Sequence, residues 1–321
     1  MSTKTKKCPL CGGSRVVKRG IQNGLQTYWC RICGNRFRSE RKKKITVIKD
    51  IFNNLSFRKQ TVRELVGIHQ LNKKTISSYI HSYEVEKKEH NPREIYLVVD
   101  ATYFGKRKEG SSWGVILFRD YLQKENIWWK FVKGERVIDY MEGKEYLENL
   151  GYTIKSVTAD GFLGLPKLFS GIPFQICQFH TKKTCIKYLT NNPQTEAGQV
   201  LLAIVKTIPK TDYITFKTRL QKYLIHFNLL LNEKTYHPSG DWSYTYDNIK
   251  SAIHTLSKYI DYLFTYEKDL KIPKTSNTCE GHFSHIKDVL RIHRGMKRSL
   301  KEKVIHHIFL NSSIVLKEEE N

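Results

Sequence analysis

Two Cys-x-x-Cys pairs constrain this chain more than any other feature. Cys8 and Cys11 form the first pair, Cys30 and Cys33 the second, with 18 residues between them. Thiolates so spaced can occupy the corners of a tetrahedron, the geometry that zinc accepts from sulfur. Glycine follows each knuckle, as Gly12-Gly13 and as Gly34, where a tight turn must pass beneath a metal. Arg15–Lys18 and Gln26–Trp29 are predicted as short strands about an Asn23-Gly24 turn. A single pair would also suit a thioredoxin-like redox centre. Two pairs at this separation specify a zinc ribbon over residues 1–40. Its zinc would be structural, because protein fills all four positions.

Charge then sets the class of partner. Lys and Arg number 55 against 31 Asp and Glu, a formal net charge of +24. Residues 1–93 hold 22 of those cations and 6 acids, so most of the excess lies in under a third of the chain. A basic module ahead of a more balanced body points to a polyanion, double-stranded DNA before others. Apolar residues at 40% allow a packed core and exclude a wholly disordered basic tail. No apolar run reaches the ~18 residues a membrane span needs. The polar opening MSTKTKKCPL lacks the apolar stretch of a secretory leader, so a cytoplasmic, nucleoid-associated protein with reduced cysteines is expected.

Arg41, Lys42, Lys43 and Lys44 read as a cationic linker, either solvated or in contact with phosphates. Ile45, Ile48, Ile51 and Leu55 recur at helical spacing, and Val62, Leu65 and Val66 make a short second helix. Gly67–Leu71 is a predicted turn. Asn72 or Thr75 would cap a third helix carrying Ile76, Tyr79, Ile80 and Tyr83. This is the plan of a helix-turn-helix over residues 41–90, with Lys73, Lys74, Thr75 and Ser78 facing a major groove. Any three-helix mini-core would give the same pattern.

Asn91-Pro92 breaks the chain, and a mixed α/β pattern begins. Strands are expected at Ile95–Asp100, Trp113–Phe118, Ile127–Val132, Ile154–Thr158 and Phe174–Phe179, with a helix at Val137–Leu150. Residues 191–273 read as an all-helical insertion. A last helix, Thr278–His293, bears Glu280 on a polar face with Ser284, Lys287 and Arg291, while Phe283, Ile286 and Leu290 form its packing stripe. Asp100 and Asp160 each end a predicted buried strand, where a carboxylate is costly without a partner or a metal. Three converging carboxylates suit magnesium or manganese, and two such ions serve phosphodiester chemistry. Taken singly, Asp100 and Asp160 can be turn caps, and Glu280 a capping-box partner of Asn277.

Val98-Val-Asp100-Ala-Thr, Thr158-Ala-Asp160-Gly, Cys177-Gln-Phe-His180, and the run from Thr275 through Glu280 to Met296 resemble the Mutator-type DDE transposases of bacterial insertion sequences. The resemblance covers most of residues 94–300. It implies a ribonuclease H-like domain over 94–190 and 274–310, with Asp100, Asp160 and Glu280 holding two magnesium or manganese ions. It also implies Cys177 and His180 as supports of that site, and Arg291, His293 and Arg294, with Lys287, as DNA contacts. Trp242 is the one Trp of the insertion, suited either to the cleaved DNA end or to a core. Cys177, His180 and Cys185 could otherwise share a second zinc. The implied activity is cleavage at terminal inverted repeats and joining of 3′ ends to target DNA, by a homodimer or higher oligomer. A domesticated DNA-binding protein and a plain metal-dependent nuclease are the alternatives.

Overall fold

A computed structural model describes residues 7–22, 25–38, 42–105 and 112–318. The chain divides into two compact units, Met1–Glu84 and Val85–Asn321.

In the first unit, β1 (Val16–Gln22), β2 (Leu25–Cys30) and β3 (Arg36–Arg38) form an antiparallel sheet in that order. Val16 lies opposite Cys30 and Gln22 opposite Leu25. Asn23 and Gly24, between them, lie outside the described residues. The knuckle glycines Gly12 and Gly34 take φ of +68° and +72°, where a side chain would be strained. Each donates its N–H at 2.9 Å to the carbonyl of the cysteine that opens the local turn, Cys8 and Cys30 respectively.

Three helices follow: α1 (Lys42–Ser56), α2 (Val62–His69) and α3 (Lys73–Ser82). Ile51, Phe52, Leu55, Leu65, Ile76 and Ile80 are buried as a mini-core, and the Phe52 and Tyr83 rings stack at 4.1 Å. Two expectations are corrected. Lys42–Lys44 form the first turn of α1 rather than a linker, since nothing in them interrupts the helical period; Arg41 lies outside the described residues. Gly67 lies inside α2, not in a turn. Its helix cost of about 1 kcal/mol is small, and α2 is held by a capping box in which Thr61 N–H donates to Glu64 Oε2 at 2.7 Å. The turn comes at Gln70, with φ of 50°. Asn72 then caps α3, its Oδ1 accepting the Thr75 N–H at 2.9 Å.

The second unit is a mixed α/β body. Its elements begin with β4 (Glu94–Phe104), β5 (Trp113–Asp120), β6 (Glu125–Val132), α4 (Val137–Asn149), β7 (Thr153–Ala159), α5 (Leu165–Leu168), β8 (Phe174–Ile176) and α6 (Gln178–Leu189). They continue with α7 (Glu196–Thr207), α8 (Tyr213–His226), α9 (Asn228–Leu231), β9 (Lys234–Tyr236), β10 (Trp242–Tyr244), α10 (Asp247–Leu263), α11 (Asn277–Ile292) and α12 (Arg298–Glu318). The five-stranded sheet runs β6-β5-β4-β7-β8. β4, β5 and β6 pair antiparallel, whereas β4, β7 and β8 pair parallel. Helices cover both faces. Phe118 of β5 meets Trp128 and Tyr140, the latter on α4. Trp129 points the other way, onto His306 and Phe309 of α12.

Three further expectations change. β4 does not end at Asp100. It runs on to Phe104 because β5 pairs with it as far as Phe104↔Trp113, while its parallel partner β7 stops pairing at Val98↔Thr158. β8 stops at Ile176, three residues short of Phe179, because the chain turns at Cys177 directly into α6. The segment 191–273 is not all helical. His237–Asp241 is the turn of a β9–β10 hairpin, closed by His237 N–H on Asp241 C=O at 2.8 Å.

Candidate functional site

In the first unit, the sulfurs of Cys8, Cys11, Cys30 and Cys33 all lie within 4.8 Å of one another, with Cys8 to Cys33 at 3.7 Å and Cys11 to Cys30 at 3.6 Å. The quartet could hold a structural metal such as zinc. Its thiols are not equivalent. Burial opposes ionisation of Cys8, but backbone donors at Cys11 and Leu10 outweigh it and draw the thiol down to about 6. Cys11 has a backbone donor at Gly13, yet its contacts with Cys33 and Cys30 push it up to about 12. Among the described residues, no second group of this kind forms around Cys177, His180 and Cys185. Cys185 is buried against the Ala252 carbonyl instead.

In the body, the parallel register brings two acids to one end of the sheet. Val98 of β4 lies opposite Thr158 of β7, and two residues further along each chain come Asp100 and Asp160. Asp100 sits where β4 loses its parallel neighbour, and is 7% exposed. Asp160 begins the loop beyond β7, where its Oδ1 accepts the Phe162 N–H at 3.0 Å, so it does cap that turn. Gly161 lets the turn close: a Cβ there would meet the hydroxyl oxygen of Tyr259 at 2.8 Å, and that hydroxyl donates to the Gly161 carbonyl at 2.7 Å.

Glu280 returns to the same place from far along the chain. The segment before α11 is stitched to the sheet: Thr158 Oγ1 donates to Pro273 C=O at 2.9 Å, Gln178 N–H to Lys274 C=O at 3.0 Å, and Ser276 N–H to Cys177 Sγ at 3.3 Å. α11 therefore starts beside the β8–α6 turn, and Glu280 Oε1 lies 3.2 Å from His180 Nε2. The capping-box role with Asn277 is not realised. Ser276 is the N-cap, with no side-chain cap bond, and Asn277 is already helical. Cys279 points inward and is fully buried.

The electrostatics match the convergence. Burial pushes Asp100 up to about 7; His180 pulls it down, while Asp160 and Glu280 push it further up. His180 is raised to about 9, first by its hydrogen bond with Cys177 and, against the cost of burial, by the field of Cys177, Asp100 and Asp160. Burial opposes ionisation of Cys177, but hydrogen bonds from His180 and Ser276 draw it below its ordinary value. Asp100, Asp160, Glu280, His180 and Cys177 are thus one neighbourhood. The carboxylates are spaced more widely than the thiols: among the described residues, the cysteine quartet is the set whose donor atoms all lie within 4.8 Å. Acids flanking two ions about 4 Å apart need not all touch one ion.

The chain matches no known protein family and no characterised protein. Lys287, Arg291 and Arg294 are exposed on and just beyond α11, and His293 is half-buried. Arg291 Nη2 reaches Asp288 at 3.1 Å. Lys73, Lys74 and Ser78 are exposed on α3. Trp242 is no core residue: it is 46% exposed on β10, with Lys234 Nζ 3.8 Å from its ring centroid.

A further carboxylate and a further cation stand near the site with no motif to mark them. Glu135, before α4, accepts hydrogen bonds from Tyr140 and, at 3.2 Å, from Tyr103. Burial raises its carboxyl above the ordinary value, and Asp160 adds to the shift. Arg119 is buried under α11. Neither lies in a recognisable motif, and only the fold brings them near.

Proposed function

We propose that this protein is a DNA transposase of the Mutator-type DDE class, with a ribonuclease H-like catalytic body behind a zinc ribbon and a helix-turn-helix. The observation that carries the reading is the meeting of Asp100, Asp160 and Glu280, from three distant segments, at the point where the β4–β7 pairing ends. The strand order β6-β5-β4-β7-β8, an antiparallel meander continued beyond β4 by two parallel strands, supports the body's fold. The basic charge of the first 93 residues and the exposed Lys73, Lys74 and Ser78 support DNA recognition by the front end.

Oxygen donors of this kind suit magnesium or manganese. Held by Asp100, Asp160 and Glu280, such ions would polarise the scissile phosphate and activate the attacking water or 3′-hydroxyl. The chain's own groups prepare that event. Asp100 must lose the proton that burial and its acidic neighbours favour. His180, cationic beside Cys177, holds Glu280 by an ion pair at 3.2 Å. Lys287 and Arg291 extend the Glu280 face of α11 with charges suited to phosphates. Trp242, exposed and backed by Lys234, offers a stacking surface for an unpaired base.

The test is cleavage and joining by the full chain in magnesium, on the DNA that flanks the coding region, where inverted repeats are expected. Free 3′-hydroxyl ends that become joined to a target plasmid are expected. Cutting without joining would make the protein a nuclease, and binding without cutting would remove the enzyme reading.

A further inference from the structure

The side of the sheet that carries Asp100 also buries a cation that forms no ion pair among the described residues. Asp100 of β4 lies directly opposite Leu117 of β5, and Val98 opposite Arg119, so Asp100 and Arg119 share one face. Arg119 is 2% exposed. Its Nε–H donates to Thr278 Oγ1 at 2.8 Å and its Nη1 to Asn126 Oδ1 at 2.7 Å. Asn126 in turn donates through Nδ2 to Ser312 Oγ at 2.9 Å and to Phe309 C=O at 3.1 Å, both on α12. The neighbouring acid, Asp120, is engaged elsewhere, by Arg93 Nη2 at 2.6 Å.

Burying a guanidinium on neutral partners alone is expensive, and an apolar residue of similar length would be cheaper. What the guanidinium gives in return is direction. It is planar, permanently charged and rigid, so two of its donors fix two acceptors at set angles. One acceptor is in α11 and the other leads to α12. Thr278 is two residues before Glu280, in a helix turn whose N-cap makes no side-chain cap bond.

We propose that Arg119 is a positioning residue, which fixes the first turn of α11 through Thr278 and thereby sets where the Glu280 carboxylate stands. The proposal rests on the reading of Glu280 as part of the site. A reacting group misplaced by about 1 Å can cost roughly a hundredfold in rate, and groups that orient metal ligands change metal affinity by about 10–100-fold. The Arg119–Thr278 bond is such a group for Glu280, while Asn126 holds the guanidinium from the other side.

The experiment uses the full, zinc-loaded chain and compares Thr278→Val, which keeps the shape but removes the acceptor, with Thr278→Ser, which keeps the hydroxyl. Arg119→Met and the double variant Arg119→Met with Thr278→Val complete the set. Hydrogen exchange of amides 277–281, measured without divalent ions, should accelerate about tenfold in Thr278→Val and stay near wild type in Thr278→Ser. Manganese affinity, followed by electron paramagnetic resonance, should fall about 10–100-fold in Thr278→Val. It should recover in Thr278→Ser, while DNA affinity stays unchanged. The double variant should be no worse than Arg119→Met. Should Arg119→Met fail to fold, the Val–Ser pair still decides the matter. Equal exchange and equal manganese affinity in Thr278→Val and Thr278→Ser would overturn the proposal. Glu280→Gln separates the two claims. If it leaves manganese affinity and cutting at wild-type levels, the reading of Glu280 is wrong. If it abolishes both while the Val and Ser variants behave alike, the reading stands and the anchor is wrong.

Discussion

The cysteine quartet and the acid cluster solve the problem of gathering like-charged donors in opposite ways. The quartet is local: Cys8 to Cys33 span one ribbon, and two glycine turns bring the sulfurs within 4.8 Å before any larger fold is needed. The acids are gathered by topology. Asp100 and Asp160 meet through a parallel strand pair, and Glu280 arrives over a stitched segment more than a hundred residues later. The quartet is closed by its own four ligands, while the acids stay spread, with the Glu280 side chain still 36% exposed. A closed set stabilises a fold; a spread set leaves room beside its members.

The sharpest way to break this contrast is to remove the metal from the ribbon. Structural zinc contributes about 10–16 kcal/mol of apparent binding free energy to folding. Cys30→Ser, or a strong chelator, should therefore unfold the ribbon, seen as loss of the Trp29 and Tyr28 near-ultraviolet signal together with release of one zinc per chain. A ribbon that keeps that signal without metal would contradict the role assigned to the quartet.

The acids should behave as a unit. Replacing Asp160 by Asn should lower DNA cleavage roughly a thousandfold, about 4 kcal/mol of activation free energy. The triple change of Asp100, Asp160 and Glu280 should be hardly worse, because ligands of one cluster are not additive. Cleavage surviving in Asp160→Asn would leave only the Phe162 turn cap as that residue's role.

Stability supplies the third test, and here the two sites should move in opposite senses. Asp100 has its folded-state pKa raised from an ordinary 3.8 to about 7, first by burial. A raised acid binds its proton more tightly when folded, so its cost in stability grows as pH rises from about 4 and is complete above about 7. Asp100→Asn should therefore stabilise the metal-free protein at pH 8, by about 4 kcal/mol. The gain should shrink to nothing near pH 4. Thermal melts at several pH values read this directly; a loss of stability at pH 8 would mean that the carboxylate is better compensated than its surroundings indicate.

The smallest effect separates α3 from the ribbon that precedes the three helices. Asn72→Ala removes the cap on Thr75 N–H and should cost about 1 kcal/mol. Zinc content should be unchanged and sequence preference on DNA weakened. Equal loss of zinc would tie α3 to the metal site.

What could be read in advance follows the same division. The ribbon was legible because its ligands and turns are neighbours in sequence, and Asn72 because a cap acts within one turn. Asp100 was expected to close a strand, since an apolar run stops there. Only the pairing with β5 carries β4 on to Phe104. The β9–β10 hairpin escaped notice because its strands are three residues each and mostly exposed, with no alternation to mark them. Arg119 and Glu135 had no local signal at all. An arginine at the end of an apolar strand and a glutamate before a helix are ordinary until a distant element is laid over them.

The stitching of Pro273–Ser276 onto the sheet also orders events in time. A ribosome adding about 5–20 residues per second needs roughly 10–40 s to pass from Glu84 to Glu280. Throughout that interval the basic unit is complete and, given zinc, able to fold from contacts within itself. The body meanwhile lacks its third carboxylate, and cannot finish its site until α11 has emerged and been laid against Thr158 and Cys177. The nascent chain thus has its whole cationic module well before it can hold a complete set of acids.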